Sequence, residues 1–155
     1  MFELPPIEPI MLTPVTAECV QHSALSYHVH PDILYAILIV EGGAVGETTA
    51  GANENGTRDI GPAQINSIHL DELASLGVTE KELKDNGCLN IYVQARYLSI
   101  VLSQVSRLEK EDDYLYAIAR FHSKDRTVAR PYVKKLESAF ELMYREQSDT
   151  GAQNE

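Results

Sequence analysis

Several features that would define whole classes of protein are missing from the sequence. No apolar run approaches the roughly 18–20 residues that a membrane-spanning helix needs. Basic residues are few, because 13 lysines and arginines stand against 23 aspartates and glutamates, and the net charge is −10. This balance argues against nucleic acid or an anionic membrane as a partner, since both normally require a basic surface. The five histidines have no metal-ligand spacing on a shared helix face, so no metal site is predicted.

Cysteine is equally scarce, with Cys19 and Cys88 as the two examples. In a cytosolic protein two such residues are by default free thiols. In an oxidising compartment they can close one long loop, which stabilises a fold by roughly 3–4 kcal/mol in the chain-entropy model. The residues themselves leave both alternatives open. Residues 1–15 lack the basic start and apolar stretch of a secretory signal, so we expect either a cytosolic protein or a mature chain whose leader was removed.

Strand-type alternation is almost absent, and the apolar runs have helical length. This predicts an all-α fold, and 155 residues suit one core. We expect a flexible proline-rich arm at 1–15, one domain at 16–147 and a disordered tail at 148–155. The predicted helices cover about 17–28, 31–41, 61–68, 69–75, 87–108 and 129–146, with further helical turns after Thr79 and after a cap at Asp112 or Asp113.

The segment 31–41 is apolar on every side and is followed by two glycines. Pro31 suits the first turn of a helix, and the glycines suit its end. Such a helix belongs in a core, yet its last turn carries Glu41. Burial and the negative end of the helix dipole both disfavour a charged carboxylate there, which suits a general acid. The alternative is that Glu41 only marks where the helix reaches the surface.

Two further segments complete a recognisable pattern. Residues 42–60 contain five glycines and form an irregular loop or a small hairpin at Asn55-Gly56, and a loop of this length is usually functional. Next come the run Asn55-Gly56-Thr57-Arg58-Asp59-Ile60-Gly61-Pro62-Ala63-Gln64-Ile65-Asn66 and, later, Ala119-Arg120-Phe121-His122-Ser123. Together with Glu41 and the helix start Cys88-Leu89-Asn90-Ile91, they resemble the lysozyme-like lytic transglycosylases, and most closely the small secretion-system and conjugation-associated members. The resemblance covers about residues 17–145.

This resemblance implies a compact, single-domain helical lysozyme-like fold, α+β at most, with a glycine-rich active-site loop or small hairpin. It implies cleavage of the β-1,4 bond between N-acetylmuramic acid and N-acetylglucosamine in peptidoglycan, with no cofactor. Glu41 would be the acid and the base, and the muramoyl product would carry a 1,6-anhydro ring. The implied substrate contacts are Gly61, Ala63, Gln64, Asn66, Phe121 and His122. The resemblance also implies a Cys19–Cys88 disulfide.

The departures from the family pattern shape the alternatives. Goose-type lysozymes, which are hydrolases, place an aspartate where this chain has Asn66, and Asp59 is better suited to capping a helix or organising a loop. Transglycosylation is therefore favoured over hydrolysis with Asp59 as base. Many relatives have Tyr-Asn where this chain has Phe121-His122, and Leu-Met where it has Pro62-Ala63. Since Phe121 cannot hydrogen-bond, we expect Glu41 to lack the phenol that orients the acid in relatives.

A second alternative is a weakly catalytic protein that binds glycan as a scaffold. For the leading hypothesis, the resemblance implies a monomer in the periplasm whose partner is a peptidoglycan glycan strand. It also implies association with secretion, conjugation or pilus components, in which the enzyme opens the wall locally. Neither nucleic acid nor a membrane span is expected.

Overall fold

The computed structural model describes residues 11–49, 56–104, 111–122 and 126–152, and this part of the chain is mostly helical. A small antiparallel sheet of three two-residue strands, in the order β1-β2-β3, accompanies the helices. The predicted mostly helical fold with a small hairpin is confirmed. The helices are α1 (Ala17–Tyr27), α2 (Pro31–Glu41), α3 (Leu70–Ser75), α4 (Glu80–Asp85), α5 (Gly87–Ser103), α6 (Glu111–His122) and α7 (Arg126–Ala152), and the strands are β1 (Thr48–Thr49), β2 (Asp59–Ile60) and β3 (Ile65–Asn66).

Helix α2 lies in the core and contacts α1, α5 and α7. Leu34, Ala36 and Ile37 have no exposed surface. The helix begins at Pro31 and ends at Glu41, as predicted, because Gly42 adopts a left-handed conformation with φ of 60° and stops it. None of the helices in the described ranges combines the length and apolarity that crossing a bilayer requires.

The segment after β2 is not the helix that we predicted. Gly61 and Gln64 have φ of 70° and 55°, in the left-handed region that an α-helix excludes. The chain instead turns tightly through 61–64 and returns as β3, so that Ile60 lies opposite Ile65. A 3₁₀ helix at Ser67–His69 follows. Asp59 therefore lies in a strand and caps no helix.

Other boundaries also differ from expectation. Helix α6 begins at Glu111, so Asp112 and Asp113 lie within its first turn. Helix α7 continues to Ala152, well past the predicted end at 146 and into the segment expected to be disordered.

The start of the described chain is held to the domain and is not free of it. Of the expected arm, residues 1–10 lie outside the described residues, as does Asn55 of the expected hairpin turn. The Thr13 amide donates to the Asp85 carbonyl (2.9 Å), and the Gly87 amide donates to the Thr13 carbonyl (2.8 Å). Residues 11–15 therefore run beside the junction of α4 and α5.

A disulfide joins Cys19 of α1 to Cys88 of α5, with the two Cα atoms 5.6 Å apart. We expect its reduction to lower the free energy of unfolding by about 3–4 kcal/mol, because the bridge closes a long loop. Urea unfolding of the protein with and without dithiothreitol measures the difference. The double variant Cys19→Ser with Cys88→Ser should match the reduced wild type and show no response to dithiothreitol. Equal stability of the oxidised and reduced proteins would contradict this expectation.

Candidate active site

Glu41 is half-buried at the end of α2, at the point where the core helix reaches the loop of small strands. Its Oε1 accepts a hydrogen bond from the hydroxyl of Tyr132 on α7, with the two oxygens 2.8 Å apart. Helices α2 and α7 pack against each other, so this bond crosses a helix interface. The carboxyl group is thus fixed by a partner 91 residues away in sequence.

Burial raises the pKa of Tyr132 strongly, and the charge and the hydrogen bond of Glu41 raise the pKa further. The phenol consequently keeps its proton throughout the neutral range and acts as a permanent donor to Glu41. The expectation that Glu41 lacks an orienting phenol is therefore wrong. The phenol comes from α7 and not from position 121, and the side chains of Phe121 and His122 lie outside the described residues.

Tyr132 was missed by the sequence analysis, although a signal was present. It precedes Leu136 by four residues and Ala139 by seven, and both of these are buried. Residues at that spacing share one face of a helix, so Tyr132 belongs to the inner face of α7. A tyrosine on an inner helix face usually needs a polar partner for its hydroxyl, and the acid at the end of the apolar helix, Glu41, is a candidate.

The 61–64 turn packs directly against the backbone that follows Glu41. A Cβ atom on Gly43 would collide with the Gly61 carbonyl and the Gln64 side-chain amide. A Cβ atom on Gly61 would in turn collide with the Asn90 side chain of α5. Because both positions are glycine, the 61–64 turn packs in direct contact with the backbone that follows Glu41 and with α5.

Asn90, which is fully buried, anchors this turn. Its Oδ1 accepts from the Ala63 amide (2.9 Å), and its Nδ2 donates to the carbonyls of Ile60 (2.9 Å) and Leu83 (3.0 Å). One side chain thus satisfies three backbone groups from two segments. Ala63 has no exposed surface, so its methyl group is not available to a ligand in this arrangement.

The amides of Gln64 and Asn66 both bond within the protein. Gln64 donates to the Gly61 carbonyl (2.9 Å) and accepts from the Thr49 hydroxyl (3.0 Å). Asn66 donates to Thr57 and to Asp59, each at 3.0 Å, and its Oδ1 accepts from the Ile68 amide (3.0 Å). Asp59 therefore organises the loop through Asn66, and both amides brace the strands beside Glu41.

An apolar pocket of about 480 Å³ adjoins the same turn. Leu38, which lies one helical turn before Glu41, forms one wall. The complete lining is Leu12, Pro14, Val15, Leu38, Gly43, Val45 and Pro62. The pocket provides a concave apolar surface between α2, the start of the 61–64 turn and residues 12–15. Among the described residues, no group of three or more histidine, cysteine, aspartate or glutamate side chains could hold a metal ion.

These features define a lysozyme-like domain: a core helix that ends in a half-buried glutamate, next to a small sheet whose tight turn is pinned to the main body. Comparison with known families agrees. The transglycosylase SLT domain matches residues 18–128, and the chain belongs to this family.

Individual relatives are more distant. Invasion protein IagB of Salmonella typhimurium is 34% identical over 83 residues, which cover 54% of this chain and 51% of IagB. Protein IpgF of Shigella flexneri is 29% identical over 91 residues, or 59% of each chain. A peptidoglycan-binding-like protein of Escherichia coli O157:H7 is 28% identical over 89 residues, or 54% of this chain and 53% of the relative. The matched region thus spans little more than half the length of these curated relatives.

Proposed function

We propose that the chain is a peptidoglycan lytic transglycosylase in which Glu41 is the acid and the base. The observation that carries this proposal is the Glu41 carboxyl group, half-buried at the end of a core helix and held by the Tyr132 hydroxyl in a transglycosylase SLT domain. Because the carboxyl group is half-buried, little water competes with a bound ligand for its proton.

In this mechanism Glu41 first gives its proton to the oxygen that links N-acetylmuramic acid to N-acetylglucosamine, and the bond from that oxygen to C1 breaks. The carboxylate then takes the proton of the C6 hydroxyl as its oxygen closes on C1. The product is a 1,6-anhydro-muramoyl end, and the glucosamine leaves with a free hydroxyl. No water is consumed, so no second carboxylate is required to activate one, in contrast to an ordinary glycosidase.

The position of Asp59 supports this route over hydrolysis. Asp59 accepts a hydrogen bond from Asn66 within the small sheet and organises that loop. Asn66 is a neutral amide, and it is bonded at both its nitrogen and its oxygen. Asp59 is bonded within the small sheet and Asn66 is not a base, so neither residue is placed to activate a water molecule opposite Glu41.

For substrate contacts we propose the Gln64 and Asn66 amides, whose oxygens can each accept a further bond, with Gly61 allowing close approach of the backbone. The apolar pocket lined by Leu38 and Pro62 suits acetamido methyl groups or the apolar face of a sugar ring. Phe121 and His122, at the end of α6, remain predicted contacts on the strength of the family pattern.

Mass spectrometry of purified peptidoglycan digested by the protein tests the reaction. The proposal predicts anhydro-muramoyl ends without uptake of water. Reducing ends would show a hydrolase, and the absence of cleavage products together with retained glycan binding would show a scaffold protein. Either result would overturn the proposed chemistry.

A role in opening the wall for a secretion, conjugation or pilus apparatus is the accompanying proposal, with the periplasm as the location. It is supported by the likeness to a protein named for invasion and to one named peptidoglycan-binding-like. Membership of the SLT domain family supports a peptidoglycan substrate in any of these settings.

Replacing Tyr132 with phenylalanine removes one oxygen and keeps the ring. We expect kcat to fall about tenfold to a hundredfold with KM nearly unchanged, because a hydrogen bond to a charged group contributes roughly 1.5–3 kcal/mol and here it orients the acid. Steady-state rates on soluble glycan strands measure the effect. The matched control is Tyr144→Phe, also on α7, whose hydroxyl bonds to the distant Asp32 and not to Glu41. Equal rates for wild type and Tyr132→Phe would show that the phenol only fills space.

A further inference from the structure

A small pocket lies where the start of α2 meets α6 and α7, at the opposite end of α2 from Glu41. Its volume of about 220 Å³ is below the roughly 300–1,000 Å³ of pockets that enclose whole small molecules, so it suits a single side chain. Leu115 and Ile118 of α6, which are both buried, form its apolar floor. None of the residues that line the pocket belongs to the candidate active site.

One carboxylate lines this pocket together with the rings of a phenylalanine and two tyrosines. Asp32 lies in the first turn of α2, and its Oδ2 accepts a hydrogen bond from the Tyr144 hydroxyl (3.2 Å). The rings of Tyr144 and Phe140 on α7 are stacked, with their centroids 6.1 Å apart and their planes 18° from parallel. Tyr114 contributes the third ring from α6. The carboxylate is therefore held in place beside aromatic side chains from two other helices.

The negative charge of Asp32 is not balanced within the described part of the chain, where no lysine or arginine pairs with it. The His30 imidazole lies beside it, with Nδ1 3.8 Å from Oδ2. This nitrogen accepts a hydrogen bond from the Asp32 amide (3.1 Å), so it carries a lone pair there and not a proton. The bond from Tyr144 uses one of about four acceptor positions on the carboxylate, and the others can accept from a ligand.

A carboxylate next to aromatic rings selects a cation, because the faces of the rings are also electrically negative. A guanidinium group suits such a site well, since its plane stacks on a ring while its fork of donors pairs with a carboxylate. The net charge of −10 favours the approach of a basic partner. Tyr114 and Tyr144 are 41% and 49% exposed, so their rings are accessible from outside. Tyrosine and arginine are residue types that are enriched among the energetically dominant residues of protein interfaces.

We propose that this pocket binds an arginine side chain presented by a protein partner. The guanidinium group pairs with Asp32 and stacks on the exposed tyrosine rings. Asp32 and Glu41 lie about 14 Å apart along α2, at 1.5 Å per residue, so a partner can hold this end of the helix without covering the acid. The inference goes beyond the proposed function and does not depend on it, because binding at this pocket involves no glycan.

The probe for the test is Nα-acetyl-arginine N-methylamide, which represents an arginine within a polypeptide, and NMR follows the amide signals of the protein. We expect it to shift amides around Asp32 and Tyr144. The citrulline derivative has the same shape without the charge, and it should bind about threefold to tenfold more weakly, since accessible ion pairs and cation–π contacts contribute modestly. The lysine derivative, which offers a point charge in place of a planar fork, should also bind more weakly.

Variants locate the binding site. Asp32→Asn should weaken binding of the arginine derivative to the level that the citrulline derivative shows with the wild type. The matched control is Asp71→Asn, the same substitution in the first turn of α3, which should keep the wild-type affinity. Asp32→Asn should also cleave glycan at the wild-type rate. Because the binding measurement needs no cleavage, failure of the proposed function would leave its outcome unchanged.

Three results with the wild type alone would overturn the assignment, so it stays testable even if a variant fails to fold. The first is the absence of shifts at the amides of the pocket. The second is equal binding of the arginine and citrulline derivatives, which would show that the charge is not recognised. The third is tighter binding of the lysine derivative, which would assign the pocket to an amine.

Discussion

We expect Glu41→Gln to lower the rate of glycan cleavage by at least about 10³-fold and to leave the fold intact. A carboxyl group that both gives and takes a proton loses both roles when it becomes an amide, and each proton transfer contributes typically 10²–10⁴-fold. The amide has the same shape, and its oxygen still accepts the Tyr132 hydroxyl, so the contact between α2 and α7 survives. Product analysis by mass spectrometry, with circular dichroism melting alongside it, measures both parts of the expectation.

The matched control is Glu18→Gln, the same substitution at an exposed residue of α1, which should cleave glycan at the wild-type rate. A normal melting curve with no product is the expected result for Glu41→Gln. Wild-type cleavage by that variant would rule out the mechanism. An unfolded variant would show instead that the carboxyl group serves stability, and Glu41→Asp, which keeps the acid but shortens it, would then separate the two roles.

Asn90→Ala is the substitution expected to damage the fold most. It leaves two buried carbonyls and the Ala63 amide without their partner, and each unsatisfied buried group costs about 1–3 kcal/mol. We expect a loss of about 3–5 kcal/mol in the free energy of unfolding. Urea titration followed by circular dichroism measures this loss. Activity should fall too, because the 61–64 turn packs against the backbone after Glu41 and loses its anchor in this variant.

Gln21→Ala provides the comparison, since Gln21 is exposed on α1 and its removal should change stability by less than about 0.5 kcal/mol. Asn90→Asp separates the hydrogen bonds from the volume of the side chain. A carboxylate keeps the size but cannot donate to the Ile60 and Leu83 carbonyls, so it should be about as destabilising as alanine. A stability of Asn90→Ala equal to that of Gln21→Ala would mean that water replaces the side chain at no cost.

The sequence predicts α2 to the residue because every signal for it is local. Pro31 fixes the first turn, the apolar run fixes burial, and Gly42 adopts the left-handed cap that ends the helix. The capping-box spacing of Thr79 and Glu82 predicted α4 for the same reason. Glu41 was identifiable as a catalytic candidate because an acid at the end of such a helix conflicts with its surroundings.

The parts that were not predicted depend on contacts between distant segments. Gln64 has no side-chain preference for a positive φ, and its conformation is imposed by the return of β3 along β2. The hydrophobic pattern of 61–68 predicted a helix, because such a pattern contains no information about the pairing of Ile60 with Ile65. The hydrogen bond from Tyr132 joins it to Glu41, 91 residues away in sequence, and it depends on the packing of α2 against α7.

The first turn of α5 contains both Cys88, which is covalently linked to α1, and Asn90, which holds the 61–64 turn. Opening of the 61–64 turn therefore requires its buried hydrogen bonds to Asn90 to break, and Asn90 lies on a helical turn that the disulfide holds to α1. We expect this opening to be rarer than the fraying that is usual for surface turns. The Ala63 amide proton should accordingly exchange with deuterium as slowly as amides of the helical core, even though it lies beside the cleft.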